Sequence, residues 1–138
     1  MLSRNSRSVL TGLLLICLAT LARADDFLSP GIAPTDLLER LGSEQAPLVV
    51  DLRAPAEYGV AHIPGALNVP STELEARIEE LRNANGVVIY CLNGTRTRQA
   101  EPVLYAHDID NFYHLEGTLQ AWLQQKLPYE KGGVKPGW

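Results

Sequence analysis

Short, nearly continuous apolar runs alternate along the chain with segments whose apolar residues recur every three or four positions. The runs at residues 48–52 and 87–90 are typical of strands in a sheet that is covered on both faces. Residues 112–115 predict a further strand, and residues 67–69 predict a short extended segment. Because helical segments separate these strands, the pattern predicts an α/β fold in which a parallel sheet lies between helices.

The helical segments are recognised by apolar stripes and by residues that start or stop helices. Thr35 is a candidate N-cap and Gly42 a candidate stop of the first segment, and Ser71 is a candidate N-cap of a later one. Pro55 suits the first position of a brief helical turn, and Pro128 is expected to stop the last helix. The stripes comprise Leu37, Leu38 and Leu41; Leu74, Ile78 and Leu81; Ala100, Val103 and Leu104; and Leu119, Trp122 and Leu123.

The first 24 residues differ from the rest of the chain. Arg4 and Arg7 precede an uncharged stretch at residues 9–22, and an Ala-Arg-Ala sequence of the kind that a signal peptidase reads ends the segment. A membrane anchor is the alternative, but the stretch is shorter than the about 20 apolar residues that span a bilayer. We therefore predict that residues 1–24 are a cleaved signal peptide, that residues 25–138 form one domain, and that the protein is periplasmic.

Length and charge limit the classes of function. A chain of 138 residues buries enough surface for one core without disulfides or metals. The formal net charge of -4 becomes -7 once the three arginines of the leader, which has no acid, are removed. An acidic surface without a cluster of basic residues repels phosphate backbones, so we expect no nucleic-acid partner. Three scattered histidines and one cysteine in the mature chain predict no metal site.

Cys91 carries the strongest chemical signal. Removal of the leader takes away Cys17, so Cys91 has no partner for an intramolecular disulfide. It lies between a predicted buried strand and a predicted helix, at the kind of sheet edge where α/β proteins bind ligands. Gly94 lets the backbone curl, so that N–H groups of residues 92–96 can point at the sulfur and favour the thiolate. The alternative is a buried, inert cysteine that only fills space.

Several fragments of the chain resemble single-domain rhodaneses, in the same order and at similar spacing. They are Asp51-Leu52-Arg53, Glu57-Tyr58, His62-Ile63-Pro64-Gly65-Ala66, Cys91 through Thr97, and Leu115-Glu116-Gly117 with Trp122. The resemblance extends over residues 30–128, followed by a tail at 129–138, and the leader makes the chain similar to periplasmic rhodaneses of the phage-shock-protein E type. It implies a three-layer sandwich with a central parallel sheet of roughly five short strands, as layered α/β folds have.

The resemblance also implies an activity, that of a thiosulfate sulfurtransferase. Cys91 matches the family's nucleophile, which attacks the outer sulfur of thiosulfate, releases sulfite and passes the persulfide sulfur to cyanide or a thiol. The residues that match the family's substrate-binding loop are Leu92, Asn93, Gly94, Thr95 and Arg96. No cofactor is implied. The alternative is a sulfane-sulfur carrier or a binding module with little turnover, and we expect a monomer, with a dimer as the alternative.

The other signature residues favour structural roles. Asp51 and Arg53 are expected to organise the turn after their strand, with Glu57 as the ion partner of Arg53. His62 raises the possibility of a Cys-His pair, but the resemblance places this histidine in a structural turn. For Arg96, the alternative to substrate binding is an exposed position or a salt bridge at a helix end.

Loop length separates sulfur transfer from phosphate hydrolysis. Cysteine phosphatases of the tyrosine-phosphatase kind have five residues between the cysteine and an arginine, and that arginine position is Thr97 here. Arg96 has four residues between it and Cys91, and Arg98 has six, so the spacing favours sulfur chemistry. The chain departs from the family pattern, in which glycine is usual, at Ala61, Asp108 and Thr118.

Overall fold

Five parallel strands form one sheet at the centre of the computed structural model, which describes residues 26–133. The strands are β1 (Gly31–Ile32), β2 (Leu48–Asp51), β3 (Leu67–Asn68), β4 (Val87–Tyr90) and β5 (Phe112–Leu115). Their order across the sheet is β1-β5-β4-β2-β3, which confirms the predicted sheet. The predicted leader and the end of the predicted tail lie outside the described residues, among which no helix is long and apolar enough to cross a membrane.

Helices cover both faces of the sheet, as predicted. They are α1 (Pro34–Leu41), α2 (Pro55–Val60), α3 (Thr95–Ala106), α4 (Thr118–Gln124) and two 3-10 helices at Ser71–Glu73 and Glu75–Leu81. Side chains of α1, α2 and α4 pack with Val49 and Val88 in one core. Side chains of α3 and the second 3-10 helix pack with Val50 and Ile89 in the other. Since successive strand residues point to opposite faces, β2 and β4 contribute side chains to both cores, and all of their residues except Asp51 at the end of β2 are apolar.

Both predicted N-caps are wrong, and in each case a residue just before them has that role. Ala33 is the N-cap of α1, so Thr35 already lies inside the helix. Pro70, extended at φ -51 and ψ 139, is the N-cap of the first 3-10 helix, which begins at Ser71. The predicted helix through this region is two 3-10 segments, and Arg77 interrupts the second of them at φ -114 and ψ 18.

The last helix and the first strand also differ from the prediction. α4 ends at Gln124, before Pro128, because Lys126 adopts a left-handed φ of 56 and the chain closes the helix there. The N–H of Lys126 donates to the carbonyl of Leu123 at 3.0 Å. The strand β1, which pairs with β5, has two residues and was not located by the pattern, because so short a segment has no periodicity.

The strand order determines which segments surround Cys91. β4 lies between β5 and β2, and all three strands run in the same direction. Their carboxyl ends therefore lie at one edge of the sheet, where β4 continues into Cys91. α2 follows β2 on one side of this residue, and α4 follows β5 on the other.

Candidate active site

Cys91 lies one residue beyond β4, where the backbone turns from the sheet into α3. The residue is 1% exposed and its thiol is free. Gly94, the N-cap of α3, adopts a φ of +90, and its N–H lies 3.1 Å from Cys91 Sγ. Residues with a Cβ rarely adopt this φ, so the turn favours glycine. An N–H donor at this distance stabilises negative charge on the sulfur.

A pocket of about 260 Å³ opens beside the sulfur. It is lined by Glu57, Cys91, Leu92, Asn93, Thr95 and Arg96. With the N–H of Gly94, the structure therefore brings all six predicted site residues together. The amides of the loop are not all directed at the sulfur, because the N–H of Thr95 donates to Asn93 Oδ1 at 3.2 Å. Two larger clefts lie elsewhere, and neither is lined by a cysteine, serine or histidine.

Arg96 and Glu57 form an ion pair at this pocket. Arg96 Nη1 lies 2.9 Å from Glu57 Oε2, and the same carboxylate oxygen accepts the N–H of Ala54 at 3.1 Å. The expectation that Glu57 pairs with Arg53 is wrong, because the carboxylate extends from the first turn of α2 toward α3. The cation of the pocket is thus paired with a carboxylate that also stabilises the start of α2.

Arg53 instead forms a buried pair with Asp51 in the turn after β2. Arg53 Nη2 lies 2.6 Å from Asp51 Oδ2 and also donates to the carbonyl of Ala61 at 2.6 Å. Burial opposes the charge of the guanidinium, but the hydrogen bond to Asp51 and its negative charge outweigh burial and raise the pKa of Arg53. The pair holds the turn and does not line the pocket, in agreement with the expected structural role.

His62 forms a β-bridge just before the turn at residues 64–65 and does not line the cysteine pocket. Its ring stacks on Tyr58 with centroids 3.6 Å apart, and its Nδ1 lies 2.8 Å from the carbonyl oxygen of Tyr58. Its Nε2 lies 3.4 Å from Glu130 Oε2, and His62 also pairs with Glu130 through the backbone. Within residues 26–133, no group of three or more histidine, cysteine, aspartate or glutamate side chains is placed to hold a metal ion.

The start of α4 holds the first two peptide groups of the cysteine loop. The N–H of Leu119 donates to the carbonyl of Cys91 at 3.1 Å, and the hydroxyl of Thr118 donates to the carbonyl of Leu92. A planar trans peptide points its N–H opposite to its carbonyl, so these bonds turn the amides of residues 92 and 93 away from α4. Thr118 adopts a φ of 63, a left-handed conformation that is unusual for a β-branched residue.

The segment before β1 also contacts the loop. The ring of Phe27 stacks on His114 with centroids 3.8 Å apart and lies under the guanidinium of Arg98. Glu101, fully buried in α3, accepts the backbone N–H and the hydroxyl of Ser29. Burial lowers the pKa of His114, although the charge of Glu101 acts in the opposite direction.

Fold and site together define a parallel α/β protein with a cysteine in a tight loop at the carboxyl edge of its sheet. The profile of the rhodanese-like domain family matches residues 33–125. A sulfurtransferase of Allochromatium vinosum is 36% identical over 92 residues, which are 67% of this chain and 86% of that protein. The chain therefore belongs to the rhodanese-like domain family, and its relatives include sulfurtransferases.

Solved structures support the same assignment. A rhodanese-related protein of Thermoplasma volcanium has a TM-score of 0.65 at 27% identity, over 73% of this chain and 97% of that one. A thiosulfate sulfurtransferase of Pseudomonas aeruginosa has a TM-score of 0.69 at 31% identity, over 78% of this chain and 20% of that one. This chain thus corresponds to a fifth of the latter protein and to nearly all of the former.

Two residues at the site were not predicted to belong to it. Glu57 lines the pocket, and the hydroxyl of Thr118 donates to the carbonyl of Leu92 in the cysteine loop. Both follow strands that neighbour β4, so their elements begin at the sheet edge where Cys91 lies. Knowledge of the strand order would have identified both residues, but an apolar pattern alone does not predict the order of strands in a sheet. Thr97, the phosphatase arginine position, is 1% exposed and does not line the pocket.

Proposed function

We propose that the protein is an exported thiosulfate sulfurtransferase that works through a persulfide on Cys91. Membership of a family with sulfurtransferases supports sulfur transfer. The N–H of Gly94 at 3.1 Å from Sγ is the observation that carries the assignment to Cys91, since it stabilises charge on that sulfur. The guanidinium of Arg96 in the same pocket supports an anionic donor such as thiosulfate.

In the proposed reaction, the Cys91 thiolate attacks the outer sulfur of thiosulfate. The sulfur–sulfur bond of thiosulfate breaks, its electron pair leaves on sulfite, and a new bond forms the Cys91 persulfide. Cyanide or a thiolate then attacks the terminal sulfur, and the electron pair of the broken bond returns to Cys91 as the thiolate. Arg96 has N–H donors beyond the one that Glu57 accepts, so it can hold the donor while it stays paired.

The test is a comparison of the wild-type protein with Cys91→Ser. We expect the wild type to gain one sulfur atom on incubation with thiosulfate, by mass spectrometry, and to form thiocyanate when cyanide is added. The variant should do neither. A wild type that gains sulfur but forms no thiocyanate would favour the carrier alternative, and a wild type that does neither would contradict sulfur transfer from thiosulfate.

Export is proposed on the leader pattern of residues 1–24. Expression of the full chain in a Gram-negative host should place the protein in the osmotic-shock fraction with Asp25 as its first residue. Leu14→Arg, which interrupts the apolar stretch of the leader with a charge, should leave an unprocessed chain in the cytoplasm. Recovery of unprocessed wild-type chain in the cytoplasm would contradict export.

A further inference from the structure

The cysteine pocket has a negative charge on its wall as well as a positive one. Among the residues that line it, Arg96 is the cation and Glu57 is the anion. Oε2 of Glu57 is held from two sides, at 2.9 Å from Arg96 Nη1 and at 3.1 Å from the N–H of Ala54. The carboxylate is therefore a fixed part of the pocket and not a mobile surface group.

This arrangement opposes the entry of donors with a high negative charge. The side chains of Arg96 and Glu57 are 38% and 35% exposed, so bulk solvent screens them only in part. Once Cys91 is a thiolate, a donor meets two negative groups and one positive group. The energy of this repulsion is proportional to the charge of the donor. It is therefore absent for a neutral molecule and about twice as large for a dianion as for a monoanion.

We propose that Glu57 is a specificity-determining residue, which favours monoanionic sulfur donors such as thiosulfonates or persulfides over dianionic thiosulfate. The inference rests on the proposed function and narrows its donor class. With a thiosulfonate, the Cys91 thiolate attacks the outer sulfur, the sulfur–sulfur bond breaks, and a sulfinate leaves with the electron pair. Thiosulfate reacts in the same pocket, but more slowly, because the negative charge of Glu57 repels the dianion.

A merely structural role of Glu57 would have different consequences. If the carboxylate only capped α2, its loss would change the reactions of Cys91 with anionic and neutral reagents to a similar degree. If it only positioned Arg96, its loss would slow the anionic reagent relative to the neutral one, because the cation of the pocket would be displaced. Removal of a repulsive charge instead raises the rate of the anionic reagent relative to the neutral one, and this gain weakens as salt is added. Glu57→Gln is the suitable variant, because an amide oxygen can still accept the N–H of Ala54.

The first measurement needs no sulfur transfer. Iodoacetate and iodoacetamide alkylate Cys91 by the same displacement of iodide, but the first is an anion and the second is neutral. We expect Glu57→Gln to raise the rate of alkylation by iodoacetate, relative to that by iodoacetamide, about three- to tenfold at low salt. The gain should be smaller at high salt. Glu57→Asp, which keeps the charge, should retain the wild-type ratio.

The matched control is Glu44→Gln. It removes the same charge from the opposite end of the sheet, where the carbonyl of Glu44 accepts the side-chain amide of Asn85 just before β4. This variant should leave the ratio of alkylation rates unchanged. An equal rise in Glu44→Gln and Glu57→Gln would overturn the proposal, because it would reflect net charge and not the pocket wall.

The second measurement compares persulfide formation from thiosulfate and from methanethiosulfonate. Glu57→Gln should raise the rate with thiosulfate relative to that with methanethiosulfonate about three- to tenfold. An unchanged ratio in either measurement overturns the proposal. If no persulfide forms with either donor, the proposed function fails. The relative rates of alkylation by iodoacetate and iodoacetamide then still decide whether the charge of Glu57 disfavours anionic reagents in the pocket.

Discussion

Substitution of Gly94 by alanine should destabilise the cysteine loop through two separable effects. The first is backbone strain, because Gly94 adopts a φ of +90. The second is crowding, because the added methyl group would lie 3.1 Å from Phe27 Cζ and 3.0 Å from Arg98 Nη1. The arginine can move into solvent, but the ring of Phe27 is stacked on His114 with centroids 3.8 Å apart.

Gly65 is a matched control for the backbone effect. It adopts a φ of +75, and an added methyl group would have no atom within 4 Å. Gly65→Ala should therefore cost only the strain of a left-handed residue, about 1–2 kcal/mol. Gly94→Ala adds overpacking against Phe27, for which about 1–3 kcal/mol is typical. The expected loss for Gly94→Ala is thus about 2–5 kcal/mol of the free energy of unfolding.

Urea unfolding of both variants measures these losses from the midpoint and slope. The reasoning also predicts coupling, in that Gly94→Ala should cost less in a Phe27→Ala background than in the wild type. Equal losses for Gly94→Ala and Gly65→Ala, or additivity of Gly94→Ala with Phe27→Ala, would refute the crowding argument. A smaller loss for both would instead refute the strain estimate.

Three further predictions concern residues that support the site, and urea unfolding measures each of them. Asp51→Asn should cost about 3–5 kcal/mol, because it leaves the buried guanidinium of Arg53 without its counter-charge. Thr118→Val should cost about 1–2 kcal/mol, because the carbonyl of Leu92 loses its hydroxyl partner. Burial lowers the pKa of His114 from 6.5 in the folded protein, so the unfolded chain takes up this proton first as pH falls. The stability from neutral His114 is therefore present above pH 6.5 and lost progressively below it, and His114→Gln should flatten this decline.

Each of these has its own control. Glu79→Gln breaks an exposed pair with Arg82 and should change stability little, so a loss as large as that of Asp51→Asn would contradict the buried-charge argument. Thr118→Ser keeps a hydroxyl, and a loss equal to that of Thr118→Val would exclude the hydrogen bond as the cause. A pH profile that is the same with and without His114 would show that other groups cause the acid sensitivity.

Local patterns located the elements that are buried on both sides. β2 and β4 are central strands, and since both of their faces are covered, their residues are apolar without alternation up to Asp51, the last residue of β2. β1 escaped the same reasoning because its two residues, Gly31 and Ile32, form a strand only through their pairing with β5. The N-caps at Thr35 and Ser71 were misassigned because a preceding residue already supplies the extended conformation that starts each helix.

The cysteine loop was predictable for a related reason. Gly94 is three residues from Cys91, so the contact between its N–H and the sulfur is set within a single turn of the chain. The number of residues between Cys91 and Arg96 is also a local property of the chain, and it alone distinguishes this loop from that of the cysteine phosphatases. The partners of the loop were not predictable in this way, since Glu57 is 39 residues from Arg96 and Thr118 is 26 residues from Leu92.

The sequence by itself determined the layered α/β fold, the position of Cys91 after a buried strand and the loop around it, because burial patterns and tight turns are encoded by neighbours in the chain. Only the tertiary structure decided that Glu57 pairs with Arg96 and that Arg53 pairs with Asp51. The choice depends on where β2 lies beside β4 in the sheet, which brings α2 to the start of α3. The charge of the cysteine pocket is therefore a property of strand order, because the two charges that set it come from segments that meet only in the folded protein.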